Sequence, residues 1–339
     1  MNILVTGGAG FIGSHTVVEL VDAGYRPIIV DNFSNSEKSV VERLKEITKQ
    51  EIATYDHDYQ DSEFLRDIIE QEKIDGVIHF AAFKAVGESV QEPIKYYENN
   101  VVGFVELLKF LEDKKVKNLV FSSSATVYGE ADEVPVREDA PFKPAASPYG
   151  STKQMCEIIL RDAASVSTSI SAIAFRDFNP IGAHESGKIG ELPVGIPSNL
   201  IPFVTQTAAG IRDKLTVFGN DYDTPDGSCI RDYIHVVDLA KAHVAALNHL
   251  DKQKPSYFDA FNVGTGKGNS VLEVLNTFEA VTGQKVPHEI GPRRPGDVVV
   301  SCGAVDKAQQ ILGWKSERDL ATALKDAWNW QQQLSKSKS

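Results

Sequence analysis

Cysteine is scarce in this chain: Cys156, Cys229 and Cys302 are the only three among 339 residues, each more than 70 positions from the next and none in a CxxC pair. Neither a disulfide framework nor a zinc knuckle is encoded, and three separate buried thiols are expected. Basic residues are in deficit, with 35 Lys plus Arg against 47 Asp plus Glu and a formal charge of −12. Binding along a nucleic-acid backbone needs a basic face, so that class of partner is excluded, and any anionic ligand requires positive charge gathered locally. No apolar run approaches the ~18 residues of a membrane span. Met1 leads almost directly into Ile3-Leu4-Val5 without the basic and apolar segments of a secretory signal. The expectation is a cytoplasmic protein with no membrane partner. What is present is 42% hydrophobic and 24% charged residues with 25 glycines against 15 prolines, a globular composition able to build a large core.

Short β-branched runs at 3–5, 27–30, 52–55, 76–80, 118–122 and 169–175 alternate with amphipathic helical patterns. Apolar runs separated by helical segments indicate βαβ crossovers, so the expected class is α/β, a Rossmann-type doubly wound parallel sheet. Beyond Phe175 the texture turns rich in Gly, Pro and Asn over 179–202, which reads as a smaller and less regular C-terminal lobe. The expected division is a dinucleotide-binding domain over 1–178 and a substrate lobe over 179–339, with later segments returning to the first domain. Helices are expected at 236–250, 271–282, 306–312 and 319–333, a strand at 258–263 and a frayed tail over 335–339.

Thr6-Gly7-Gly8-Ala9-Gly10-Phe11-Ile12-Gly13 follows the first strand and opens the first helix, placing Gly7, Gly10 and Gly13 at three-residue spacing. Glycine there permits a tight turn and a close approach of backbone N–H groups to a pyrophosphate at the positive helix terminus. Asp31 stands 18 residues beyond Gly13, at the end of the second strand, where a carboxylate accepts from adenosine ribose hydroxyls. It would repel a 2′-phosphate, and Asn32-Phe33-Ser34-Asn35-Ser36 offers no arginine to hold one. NAD is therefore the expected cofactor. Asp58, at the end of the third strand, is placed either to meet the adenine or simply to cap a turn.

Tyr149 and Lys153 lie four residues apart just after Ser147-Pro148, which puts both on one face of a helix beginning there. Ser122-Ser123-Ser124 closes another strand, and open parallel sheets bind ligands beyond the carboxyl ends of their strands. Removing a hydride from a secondary alcohol needs a base for the hydroxyl proton. Tyr149 fits if nearby positive charge, from Lys153 and an oxidised nicotinamide, lowers its pKa from the usual value of about 10. Ser124 would hold the substrate oxygen.

On these motifs the chain resembles the extended short-chain dehydrogenase/reductase family and its NAD-dependent epimerase/dehydratase group. The likeness extends through Phe80-Ala81-Ala82-Phe83-Lys84-Ala85-Val86-Gly87-Glu88-Ser89, Phe178-Asn179-Pro180, Phe218-Gly219-Asn220-Asp221-Tyr222, Arg231-Asp232-Tyr233-Ile234-His235-Val236 and Pro292-Arg293-Arg294-Pro295-Gly296-Asp297. It implies an NAD site formed by Phe11, Ile12, Asp31, Asn32, Phe33, Ser34, Asn35, Ser36, Asp58, Tyr59, Phe80, Ala81, Ala82, Phe83, Lys84, Asn99, Ser124, Tyr149, Lys153 and Phe178. It also implies a UDP-hexose site formed by Lys84, Ser124, Tyr149, Asn179, Asn199, Leu200, Thr216, Val217, Phe218, Arg231, Arg294, Asp297 and Ser301. The two arginines suit a diphosphate, whose oxygens guanidinium forks match in pairs. The implied reaction is oxidation of the hexose C4, rotation of the 4-keto sugar about its anchored diphosphate, and return of hydride to the other face. A homodimer through helices near 93–111 and 148–164 is implied as well, and no metal.

A sugar-nucleotide 4,6-dehydratase or decarboxylase shares the fold, NAD and the Tyr/Lys pair, but needs carboxylates beside the strand-end hydroxyl, where this chain has Ala125 and Thr126. A non-catalytic NAD sensor would not need Ser124, Tyr149 and Lys153 together. Two departures from the family pattern stand out. Asp177 replaces the usual tyrosine before Phe-Asn-Pro, and is expected to face solvent or pair with a cation. Ser301 is small where the family limits room around the sugar C2 substituent, so N-acetylated UDP-sugars are expected to be accepted too.

Overall fold

The computed structural model describes residues 1–294 and 297–337; Pro295 and Gly296 of the arginine motif and Lys338 and Ser339 of the tail lie outside the described residues. The N-terminal half runs β1 (Asn2–Thr6), α1 (Phe11–Asp22), β2 (Arg26–Asp31), α2 (Ser39–Thr48), β3 (Ala53–Asp56), α3 (Ser62–Gln71) and β4 (Gly76–His79). It continues through α4 (Val86–Gln91), α5 (Pro93–Tyr97), a π-helical turn (Glu98–Val102), α6 (Gly103–Asp113), β5 (Asn118–Ser122), a 3-10 turn (Ala125–Tyr128), α7 (Pro148–Val166) and β6 (Ser171–Asp177). The remainder comprises β7 (Asn179–Ile181), α8 (Leu200–Ala208), β8 (Leu215–Phe218), β9 (Ile230–His235), α9 (Val236–Leu250), β10 (Tyr257–Val263), β11 (Gly268–Ser270), α10 (Val271–Thr282), β12 (His288–Gly291), β13 (Val300–Ser301), α11 (Asp306–Leu312) and α12 (Leu320–Ser337).

Seven parallel strands form the main sheet in the order β10-β6-β5-β4-β1-β2-β3. Successive strand residues point to opposite faces, and here both faces are covered. Val5, Ile29, Ile78, Val120 and Ile173 pack with Val17 and Leu20 of α1 and Leu239 and Ala246 of α9. Their neighbours Leu4, Ile28, Val77, Leu119 and Ala172 pack with Leu65 of α3, Leu107 and Leu111 of α6 and Leu160 of α7. This is why the strands read as unbroken apolar runs. A second sheet joins β11, β9, β13 and β7, and β8 pairs with β12. Val204, Val217, Tyr233, Leu275, Phe278 and Leu324 make a separate core there.

Three elements differ from expectation. The helix foreseen over 93–111 is interrupted by the π turn, whose Asn100 accepts from the Phe83 N–H and donates to the Phe83 carbonyl, both at 2.9 Å. The tail is helical to Ser337 because buried Leu334 packs with Trp330 and Ala183. Strand β6 runs on to Asp177, which pairs in register with Val263 of β10.

The long α7 is fixed at its start by Ser147, whose hydroxyl accepts from the Gly150 N–H at 3.2 Å, with Pro148 in the first turn. Midway, Glu157 forms a buried ion pair with Arg176 of β6 at 2.9 Å and also accepts from the Ser123 hydroxyl. Removing one member of such a pair strands the other charge in the core. Replacement Arg176→Leu is expected to lower the unfolding free energy by about 3–5 kcal/mol in chemical denaturation; a loss below about 1 kcal/mol would contradict this account of α7 anchoring.

Candidate active site

The glycine loop turns between β1 and α1 because only glycine fits it. Gly7 has φ +71°, and a Cβ there would come 2.8 Å from the Ala81 nitrogen; a Cβ at Gly13 would come 2.3 Å from the Gly7 carbonyl oxygen. Gly10 precedes α1 with no side-chain cap, so the positive helix terminus is open to an anion. Asp31, at the end of β2, accepts from the Ala9 N–H through Oδ2 and from the Phe33 N–H and Ser36 hydroxyl through Oδ1, all at 2.9 Å. This ties the 31–36 segment to the glycine loop. Asn32 donates to Asp58 at 3.0 Å, while Asp58 also caps the turn through the Gln60 N–H at 2.9 Å. The backbone of 80–84 closes this side, with Phe83 held by Asn100 and the Phe80 ring set against His243.

Thus Gly7, Gly10, Phe11, Ile12, Gly13, the 31–36 segment, Asp58 and Ala81 to Lys84 gather along the carboxyl ends of β1 to β4. An open helix start, a carboxylate at the end of β2 and no arginine in 31–36 fit an adenosine dinucleotide without a 2′-phosphate. Tyr59 differs: its ring is buried and its hydroxyl donates to the Asn99 carbonyl. Asn99 itself accepts from Gln60 and donates to Asn100.

Beyond β5 lie Ser124, Tyr149 and Lys153. Ser124 starts the 3-10 turn and accepts from the Thr126 N–H at 3.2 Å. It faces Tyr149 of α7. Burial pushes the Tyr149 phenol up to about 12, the Ser124 hydroxyl draws it down and the charge of Asp177 pushes it up again. The protein alone therefore moves Tyr149 away from the lowered value foreseen. Lys153 donates to the Ser122 carbonyl at 2.6 Å and sits 5.9 Å from the centre of the Tyr149 ring. Burial lowers the Lys153 ammonium, and Cys156, Asp177 and Glu157 oppose that loss.

Asp177 corrects the sequence expectation. It does not face solvent: it is 7% exposed, and its Oδ2 accepts from the Ser122 hydroxyl at 2.8 Å. No direct ion pair holds it among the described residues, and Oδ1 has no hydrogen-bond partner. The reason is the length of β6, whose pairing with β10 carries Asp177 into the sheet.

In the second lobe, Asp297 gathers two arginines. Arg294 binds it at 2.7 Å and Arg231 at 3.4 Å, and Arg231 also donates to the Ile230 carbonyl. The Arg294 guanidinium lies 5.9 Å from the centre of the Phe218 ring, which is itself exposed. Ser301 is paired in register with Arg231. Asn199 and Leu200 open α8, and Asn199 and Lys84 share one partner, Glu191. Thr216 is half-buried on β8 and Asn179 is exposed on β7. Two side chains point elsewhere: Val217 is in the lobe core, and Phe178 is buried with Val127, Tyr128 and Val136. Three polar residues escaped the motif reading: Ser122, Asn100 and Glu191. Ser122 lay within a serine run without a visible role, Asn100 beside an asparagine that was singled out, and Glu191 within an irregular segment. Among the described residues no cluster of His, Cys, Asp or Glu is arranged to hold a metal ion.

Residues 4–327 match the family model described as GDP-mannose 4,6 dehydratase. The chain is 50% identical over 329 residues to the UDP-glucose 4-epimerase of Neisseria meningitidis serogroup A, covering 97% of this chain and 96% of that one. It is equally identical over 331 residues to the UDP-glucose 4-epimerase of Bacillus subtilis, covering 98% and 97%. Among solved structures, the UDP-glucose-4-epimerase of Stenotrophomonas maltophila with bound NAD and formylated UDP-arabinopyranose superposes with a TM-score of 0.97 at 46% identity, over 99% of both chains. That of Bifidobacterium longum in complex with NAD+ and UDP gives 0.94 at 46% identity, over 98% of both. With half of its positions shared along nearly the whole length of such relatives, the chain belongs to the UDP-glucose 4-epimerase family.

Proposed function

We propose that this protein interconverts UDP-galactose and UDP-glucose through a transient 4-keto sugar, with NAD retained throughout the cycle. The observation that carries this reading is the convergence of Ser124, Tyr149 and Lys153 beyond β5, together with the Arg231–Asp297–Arg294 cluster of the second lobe. NAD, when bound, supplies the hydride acceptor and donor together with positive charge beside the phenol. Tyr149 takes the C4 hydroxyl proton and later returns it, while Ser124 holds the same oxygen. Arg231 and Arg294 grip the diphosphate in a geometry preset by Asp297, leaving the hexose free to turn between the two hydride transfers. Elimination would need a carboxylic acid beside C5 and C6, and the Ala125–Tyr128 turn offers none.

We assign 1–178 mainly to the dinucleotide and 179–339 mainly to the sugar nucleotide, α9 and β10 returning to the main sheet. A second copy of this chain is the proposed partner for the face on which Val90, Ile94, Val102, Met155 and Ile158 stand exposed on α4, α5, the π turn and α7. Three free buried thiols suit a reducing compartment, and the cytoplasm is the proposed location. Among the described residues no helix is long and apolar enough to cross a membrane.

Purified protein given UDP-galactose without added NAD is expected to yield UDP-glucose in the anomeric NMR spectrum; a 4-keto-6-deoxy product would overturn the reading in favour of a dehydratase. Replacement Tyr149→Phe should lower kcat by about a hundredfold or more. With Asp297→Ala the two guanidinium groups lose their common support, and UDP affinity measured by calorimetry should fall about tenfold, or ~1.4 kcal/mol. Ser301, a small residue paired in register with Arg231, is our proposed reason for acceptance of a C2 acetamido group, so UDP-GlcNAc should be converted to UDP-GalNAc; its complete inertness alongside normal UDP-galactose turnover would remove Ser301 from the specificity argument.

A further inference from the structure

Asp177 is a buried acid that the reaction as derived above does not use. Its Oδ2 is anchored by the Ser122 hydroxyl at 2.8 Å, and the carbonyl of the same Ser122 accepts from Lys153 at 2.6 Å. One residue of β5 therefore joins a carboxylate on β6 to an ammonium on α7. A buried carboxylate with a single hydrogen bond and one unpaired oxygen is costly unless a cation lies near. Lys153 is that cation. We propose that Asp177 is a positioning residue of the proton-transfer centre: through Ser122 its carboxylate keeps the Lys153 ammonium in place and sets a negative charge before the Tyr149 hydroxyl.

The surrounding charges leave this role to Asp177. On its own strand, Arg176 is committed to Glu157 of α7. On the α9 side, His243 is buried and held neutral, its pKa lowered to about 4 by that burial. On β4, burial holds His79 neutral as well, lowered to about 3, with Lys153 adding to the effect. Cys156 of α7 is pushed up to about 12 by burial and stays a thiol. Burial raises Asp177 itself to about 7, against the pull of the Ser122 hydroxyl and of Lys153. Its charge favours the protonated form of both Lys153 and Tyr149. The sign follows: with a neutral residue at 177, Lys153 gives up its proton more readily and Tyr149 becomes the stronger acid. A group that takes the hydroxyl proton in one half of the turnover and gives it back in the other benefits from such a restraint, because the phenolate of too acidic a phenol is a weak base and slow to take the proton.

This inference rests on Tyr149 being the proton-exchanging group, not on the identity of the sugar. The test is an ultraviolet difference titration of phenolate in the protein as purified with its cofactor, reading each variant against its own Tyr149→Phe counterpart so that the other nine of the ten tyrosines cancel. Replacement Asp177→Asn should move the Tyr149 titration about one pH unit towards acid, the scale of one neighbouring charge, and shift the rising limb of the kcat profile the same way. Asp177→Glu should restore the wild-type position. If the Asn variant does not fold by circular dichroism, Asp177→Ser replaces it with the same expected shift. A folded neutral variant whose Tyr149 titrates with the wild type, or to its alkaline side, would overturn the proposal. Should the protein prove inactive on every UDP-hexose, the titration would still answer, so the two readings fail separately.

Discussion

Three consecutive serines at the end of β5 hold the long helix that carries the chemistry. Ser124 faces Tyr149, the Ser122 carbonyl takes Lys153, and the Ser123 hydroxyl binds Glu157. The three α7 side chains recur every four residues, which stacks them on one face of the helix. The three serines, being consecutive at a strand end, meet them in a different sequence order. Each link depends on the others, because rotating or sliding α7 to improve one contact would break two. The ion pair from Glu157 to Arg176 then ties this arrangement to β6 at a buried position. The precision demanded of proton transfer is thus met by a strand end and a helix face that are already rigid for packing reasons, with loops needed only to enclose the ligand.

The opposite side of the cleft solves an electrostatic problem. The chain carries a formal charge of −12, so the proposed site for a diphosphate must be made against the average field of the protein. Arg231 and Arg294 come from separate segments, one on β9 and one after β12, and a single carboxylate aligns both. Asp297 neutralises part of their mutual repulsion when no ligand is present and leaves donor groups on each guanidinium for phosphate oxygens.

The sheet was legible because its strands are buried on both faces, which turns each into an uninterrupted apolar run between turn residues. The helices α9, α10 and α11 fall at the expected residues because their apolar periodicity is regular, with a capping box at Ser270 and Glu273 marking the start of α10. The glycine loop, Asp31 and the Tyr149–Lys153 pair were legible because their chemistry depends on local spacing. Asp177 was misread for a specific reason: apolar patterning stops at Phe175, while hydrogen bonding to β10 continues for two more residues and carries a polar side chain inside. Tyr59, Val217 and Phe178 belong to stretches near the cleft, but whether a side chain in such a stretch points inward or outward is decided by packing across the sheet. The same holds for Glu191, whose partners lie 107 and 8 residues away.

Glu191 is supported by α12. The Trp330 indole N–H donates to its carbonyl at 3.0 Å, and Gly190 lies flat on the indole, where a Cβ would come within 2.5 Å of the ring. The Arg43 guanidinium of α2 covers Trp330 at 4.9 Å from the ring centre. Helix α12 is therefore a strut set between α2 and the 190–191 segment. The Lys84–Glu191–Asn199 group therefore depends on a helix far downstream in the sequence, so a growing chain has its glycine loop and its Tyr149–Lys153 pair long before Glu191 is braced, which waits until α12 docks.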